Sequence, residues 1–183
     1  MRSLPQETYS TRCRISHRPS YQTEEPAFYR CDTCGSLIVL NIPPNSQAAP
    51  PHISCCGKEM RRLAVCKDQE ILKEHTMAFT VFGGFEKNAV RISVDGNLHP
   101  MRGAHRIEWM YLRTYQGGIL KYLPEGTRSF ANFALGDEDA YVYCDRDVCR
   151  MGREHCQFVC KRGNIAYAYC SRHGLMRLEL MGF

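Results

Sequence analysis

Eleven cysteines in 183 residues constrain this chain more than any other feature. In a reducing compartment thiols stay free and clustered cysteines serve as metal ligands, whereas in an exported chain they staple the fold as disulfides. The first twenty residues carry Arg2, Glu7, Arg12 and Arg14 and no uninterrupted apolar stretch. That does not fit a conventional signal peptide, and no later run reads as long enough to span a bilayer. The expectation is a cytoplasmic protein, not a membrane one, whose cysteines bind metal. The odd total also prevents complete pairing within the chain.

The first cluster is Tyr29-Arg-Cys31-Asp-Thr-Cys34-Gly35, followed after 20 residues by Cys55-Cys56-Gly57. A C-x2-C pair closes a tight turn in which two thiolates grip one ion, and Gly35 relieves crowding after the second ligand. Side chains alternate along a strand, so adjacent Cys55 and Cys56 reach one ion only from an irregular backbone, for which Gly57 is suited. Four sulfurs accept iron or zinc equally well. Iron would pass single electrons and zinc would act as a staple, with disulfides the remaining alternative.

The rest of the chain reads as β-structure. Candidate strands cover 77–82, 89–94, 106–114, 118–122, 128–135, 165–170 and 175–180, separated by glycine, proline and asparagine turns. Ile107, Trp109 and Tyr111 share one face of their strand while Met110 and Leu112 share the other, so that strand is expected to be covered on both sides. Seven short strands without crossover helices favour a sandwich, with little helix. Residues 1–26 read as an irregular extension, 27–64 as a small cysteine-containing unit, and 65–183 as the β-sandwich, entered through a connector near 65–74. The net charge of +5 lacks the dense basic face of a nucleic-acid binder. The doublets Arg61-Arg62 and Lys161-Arg162 are expected on solvated surface.

Five more groups form a second candidate site: His75, His99, His105, Cys170 and His173. Five residues between His99 and His105 suit a loop folding two imidazoles round an ion. Cys170-Ser-Arg-His173 occupies a turn between two strands, and Gly174 permits the reversal. Together they suggest a mixed nitrogen–sulfur metal centre, although a histidine taken alone is more simply a surface or hydrogen-bonding residue.

These segments resemble the desulfoferrodoxins, the two-iron form of the superoxide reductase family. The first unit is similar to desulforedoxin through Tyr29–Gly35 and Cys55-Cys56-Gly57. The second is similar to the catalytic domain through His99-Pro-Met-Arg-Gly-Ala-His105-Arg-Ile-Glu-Trp109 and Ala168-Tyr-Cys170-Ser-Arg-His173-Gly-Leu175. The resemblance spans roughly residues 27–183 and implies a mainly β protein, a small desulforedoxin-like module followed by an immunoglobulin-like β-sandwich. It implies iron held by Cys31, Cys34, Cys55 and Cys56, and a second iron with His75, His99, His105 and His173 equatorial and Cys170 axial. The activity implied is one-electron reduction of superoxide to hydrogen peroxide. Homodimers and a rubredoxin-like electron donor are implied as partners. A non-enzymatic iron electron-transfer or redox-sensing protein is the alternative.

Two departures stand out. The family commonly places Glu-Lys-His at the first histidine, where the lysine attracts and orients superoxide; here Leu72-Lys73-Glu74-His75 puts an anion at the lysine position. Steering should be weaker unless Lys73 substitutes. The other departure is a cysteine-rich insertion near 137–163 carrying Cys144, Cys149, Cys156 and Cys160. Its thiols could bind an additional zinc or iron, with His155 able to replace one sulfur; a loop of free or reversibly oxidised cysteines is the alternative. Cys13, Cys66, His17 and His52 are weak ligand candidates, and Met77 and Met110 read as packing residues.

Overall fold

Alternation of apolar and polar residues sets the three-stranded sheet. In the computed structural model, which describes residues 21–46, 51–83, 87–140 and 160–180, strand β7 (Ala89–Val94) turns Val90, Ile92 and Val94 inward at 0% exposure. It lies between β6 (Met77–Phe82) and β10 (Phe130–Ala134), antiparallel to both. Facing it is a four-stranded antiparallel sheet in the order β12 (Gly174–Glu179), β11 (Ile165–Cys170), β8 (Ile107–Arg113), β9 (Gly118–Tyr122). First, second and fifth strands on one side, with seventh, sixth, third and fourth on the other, is the connectivity of immunoglobulin-like sandwiches. Four of the seven expected strands match, 106–114 and 128–135 lose one or two residues at each end, and 175–180 begins and ends one residue earlier.

The core between the sheets interdigitates large and small side chains. Ala168 lies between Met110 and Met176, and Ala166 between Leu112 and Leu178, in adjacent registers. Small residues on the central strand admit the long ones beside them. Met77 and Met110 are packing residues here.

All six residues of β11 are buried, so the four-stranded sheet is covered on its outer face too. The cover comes from a third sheet, β2 (Leu37–Leu40), β1 (Ala27–Arg30) and β5 (Arg61–Arg62). Phe28, 2% exposed, stacks on Trp109 at 5.1 Å and meets Tyr111 and Tyr167 at 5.3 and 5.0 Å. Burying each such ring contributes about 1.5–3 kcal/mol. A bulge sharpens this two-sidedness: Tyr169 pairs with Trp109 but Cys170 with Ile107, two steps of β8 against one of β11. Ile107 consequently joins the sandwich core with Met110 rather than sharing a face with Trp109 and Tyr111. The expected grouping of those three side chains is corrected accordingly.

Three further features adjust the sequence reading. The connector contains helix α1 (Gln69–Glu74), started by Asp68, whose carboxylate accepts from the Glu70 and Ile71 N–H groups at 2.9 and 3.3 Å. Residues 21–25 are docked: the Tyr21 hydroxyl donates to the Gly163 carbonyl at 2.6 Å, and the Glu25 carboxylate accepts from Arg177 and Tyr167, each at 2.7 Å. Lys161, expected on solvated surface, is 1% exposed and its Nζ donates to the Ala140 carbonyl at 2.8 Å. That carbonyl ends the short helix α2 (Asp137–Ala140), where an ammonium both satisfies an orphan acceptor and complements the helix dipole. Arg61 and Arg62 are exposed, Arg61 pairing with Asp32 at 3.1 Å.

Candidate metal centres

The sulfurs of Cys31, Cys34, Cys55 and Cys56 all lie within 4.8 Å of one another. Cys31 follows β1 and is buried; its carbonyl accepts from Gly35 N–H at 2.9 Å, closing the C-x2-C turn, with Gly35 at φ +74°. The opposite pair sits on the hairpin of β3 (Ser54–Cys55) and β4 (Lys58–Glu59). Its two central residues, Cys56 and Gly57, take φ +51° and +73°, the left-handed pair that such a two-residue turn requires. This irregular backbone lets adjacent cysteines converge, as anticipated. Sulfur separations are 3.5 Å for Cys34–Cys55 and 3.8 Å for Cys55–Cys56, and a tetrahedron with metal–sulfur bonds of about 2.3 Å has edges of about 3.8 Å. Hydrogen bonds from Ser36 pull the Cys34 thiol down to about 6, while hydrogen bonding to Cys34 pushes Cys56 up to about 12. A cation would relieve this competition among thiolates and fits the donor set.

The second cluster draws on three separate pieces of chain. His75 ends α1, and its Nδ1 lies 2.8 Å from the Ile71 carbonyl. Only an N–H can bond a carbonyl, so Nε2 keeps its lone pair. His99 repeats the device with the Pro100 carbonyl at 2.6 Å. Its Nε2, like that of His105, is buried without a hydrogen-bond partner. The fourth imidazole, His173, presents Nδ1 to His75 Nε2 at 3.0 Å.

The ring centres form a near-square: His75–His99 4.7 Å, His99–His105 4.7 Å, His105–His173 4.9 Å and His173–His75 4.6 Å, with His75–His105 at 5.9 Å across it. Four imidazoles at right angles round one ion, with bonds of about 2.1 Å, would put neighbouring nitrogens about 3.0 Å and ring centres about 4.5 Å apart. The buried orphan nitrogens and this spacing together fit a metal ion. Cys170, fully buried at the end of β11, has Sγ 3.7 Å from His173 Nδ1. It joins His75, His105 and His173 in a group whose ligand atoms lie within 4.8 Å of each other.

The chain resembles the crystal structure of the superoxide reductase from Treponema pallidum. The match has a TM-score of 0.58 at 20% identity and covers 85% of this chain and 98% of that one. No family model and no curated protein sequence matches. At this identity the likeness establishes the fold, and the ligand geometry stands on its own.

Electrostatics prepare the second cluster for a cation. Burial pushes His99 down to about 4 and also lowers His105 and His173; neutral imidazoles are the metal-binding form. Burial pushes the Cys170 thiol up, opposed by the backbone N–H groups of Arg172 and His173. Sequence reasoning missed Ser171. It accepts from Arg106 N–H at 3.0 Å and donates to the Ala104 carbonyl at 2.8 Å, tying the Cys170 turn to the His99–His105 loop. Its place inside C-x2-H was the available signal.

Lys73 follows α1's Leu72 and points its ammonium away from burial. It is exposed and pairs with Glu70 at 2.7 Å. Burial lowers His105 and His173; the positive charge of Arg172 adds to that lowering and the negative charge of Glu74 opposes it. Of the insertion, Cys144, Cys149, Cys156 and His155 lie outside the described residues, as do Cys13 and His17. Cys160 is half-buried. Cys66 lies outside both clusters, and His52 is exposed beside Glu59 at 3.6 Å. No helix among the described residues is long and apolar enough to cross a membrane.

Proposed function

We infer that this chain is a superoxide reductase, reducing superoxide to hydrogen peroxide at a mononuclear iron held by His75, His99, His105, His173 and Cys170. The observation that carries this reading is the near-square of four imidazoles beside a buried cysteine, in a fold shared with a known superoxide reductase. Iron bound there would supply one electron to superoxide, which leaves as hydrogen peroxide after taking up two protons.

The chain's own groups make that reaction possible in three ways. The Ile71 and Pro100 carbonyls fix two imidazole tautomers, so the Nε2 lone pairs of His75 and His99 stay free to bind a metal. Neutral imidazoles leave the bound cation's charge uncompensated except by Cys170, which favours a small anion. The backbone at Arg172 and His173 favours the Cys170 thiolate against burial, which would tune the electron density it gives to a bound metal.

The remaining assignments follow from the same reading. Cys31, Cys34, Cys55 and Cys56 hold a second iron in a desulforedoxin-like domain at 27–64, preceding a catalytic domain at 65–183. The protein is a cytoplasmic homodimer supplied with electrons by a rubredoxin-like donor.

Glu74 favours a second reading, an iron electron-transfer or redox-sensing protein, because a carboxylate beside the imidazoles repels superoxide. Metal analysis followed by stopped-flow mixing of the reduced protein with superoxide separates the two. Iron with fast second-order oxidation supports the reductase; iron without it supports transfer or sensing.

A further inference from the structure

The chain neighbours of the two cysteines that anchor these clusters touch each other. Arg30 precedes Cys31 and Tyr169 precedes Cys170, and the Arg30 guanidinium carbon lies 5.0 Å from the centre of the Tyr169 ring. Strand alternation produces this contact. Cys170 faces the sandwich core, so Tyr169 must face the small sheet that carries Arg30.

The contact is held rigidly. Both guanidinium nitrogens of Arg30 reach the Glu108 carboxylate, NH2 at 3.4 Å, and both side chains are mostly buried, at 21% and 18% exposure. The bulge in β8 lets consecutive residues serve this face: Glu108 holds Arg30 while Trp109 stacks on Tyr169 at 5.3 Å and 4°. The residue following Cys31 is tied in as well, because Asp32 pairs with Arg61, which also interacts with Tyr169. Tyr169 itself is 5% exposed.

We propose that Arg30 and Tyr169 form an electron bridge from the Cys31–Cys34–Cys55–Cys56 centre to the centre at Cys170. This rests on the iron reading above and goes beyond it by giving the first centre a task. The route runs along covalent bonds from Cys31 through the Arg30 side chain, makes one through-space crossing to the Tyr169 ring, and returns along bonds to Cys170. Electronic coupling falls more steeply across gaps than along bonds, so a path with one packed crossing is an effective conductor. In each transfer the tetrathiolate iron goes from ferrous to ferric and the histidine–cysteine iron from ferric to ferrous. No bond breaks and no proton moves. A reduced one-electron iron–sulfur carrier refills the first centre. Purely structural glue would need the same contacts, since a cation over an aromatic ring stabilises by about 0.5–2 kcal/mol, so the test must read transfer rather than stability.

The full-length protein, loaded with iron at both sites and fully reduced, is given a substoichiometric pulse of superoxide while the ferric absorbance of each centre is followed. The expected result is oxidation of the Cys170 centre, followed by its re-reduction with matching oxidation of the tetrathiolate. The second phase should have a rate independent of protein concentration. Tyr169→Leu and Arg30→Lys should slow that phase by an order of magnitude with both ferric spectra intact, while Tyr169→Phe, which keeps the ring, should preserve it. Unchanged rates in Tyr169→Leu and Arg30→Lys, or a second phase that scales with protein concentration, would overturn the bridge. If superoxide oxidises the Cys170 centre and the tetrathiolate never follows, the bridge fails while the reductase reading stands. If superoxide oxidises neither centre, the reductase reading fails and the bridge falls with it.

Discussion

His75 Nε2 and His173 Nδ1 lie 3.0 Å apart although 98 positions separate them in the chain. One ends a helix and the other lies in a β-turn, and each presents a ring nitrogen to the same point. Two neutral imidazoles gain little from such an approach unless a proton or a cation lies between them.

Replacing Cys170 with serine should remove the thiolate-to-ferric charge-transfer absorption and most turnover with superoxide, while iron on the tetrathiolate remains. Visible spectroscopy and stopped-flow kinetics check this. Retention of both signals would show that this sulfur does not bind the catalytic metal.

Charge near the second cluster should set the speed of encounter with superoxide. Glu74→Lys changes the local charge by two units and should raise the second-order rate by about tenfold at low ionic strength, with the gain shrinking as salt is added. Arg172→Ala should act in the opposite direction, since Arg172 is the cation that bears on His105, His173 and Cys170. Lys73→Ala should change little, because its ammonium is engaged by Glu70. Rates insensitive to both Glu74→Lys and Arg172→Ala would reject electrostatic steering.

Ser171→Ala should loosen the tie between the Cys170 turn and the His99–His105 loop without removing a ligand. Loss of such an outer hydrogen bond typically weakens metal affinity by 10–100-fold, which competition with a chromophoric chelator would measure. Unchanged affinity would mean that the β8–β11 pairing alone positions the loop.

The metal-free protein should lose stability as pH falls from about 6.5 towards about 4. Burial lowers the His99 pKa from 6.5 to about 4, so in this window the unfolded chain takes up a proton that the folded one refuses, and protonation favours unfolding. Thermal melts between pH 8 and pH 4 should show this slope, and His99→Gln should flatten it. An unaltered slope in the variant would assign the acid sensitivity elsewhere.

Phe28→Ala should cost about 3–5 kcal/mol in urea denaturation, the range for deleting a buried ring. Phe28 closes the outer face of the four-stranded sheet against Trp109, Tyr111 and Tyr167. A loss below 1 kcal/mol would mean that the two layers hold together without it.

Much of the fold was readable from local pattern. Turn residues mark the ends of the strands at 77–82 and 89–94, and the bulky residues on both faces of β8 require cover on both sides. The tetrathiolate was readable for a similar reason, since C-x2-C and C-C-G prescribe turns whose geometry is local. What the sequence could not say is which distant surfaces meet. Nothing near His75 announces that its free nitrogen faces His173, and nothing near Lys161 announces that Ala140 offers it a buried carbonyl. The bulge that separates Ile107 from Trp109 is equally invisible, because it arises from pairing with β11 and not from the residues of β8. Short-range periodicity and turn chemistry are written in neighbouring residues; convergence of side chains across a sandwich depends on how sheets pack, and only the tertiary structure decides that.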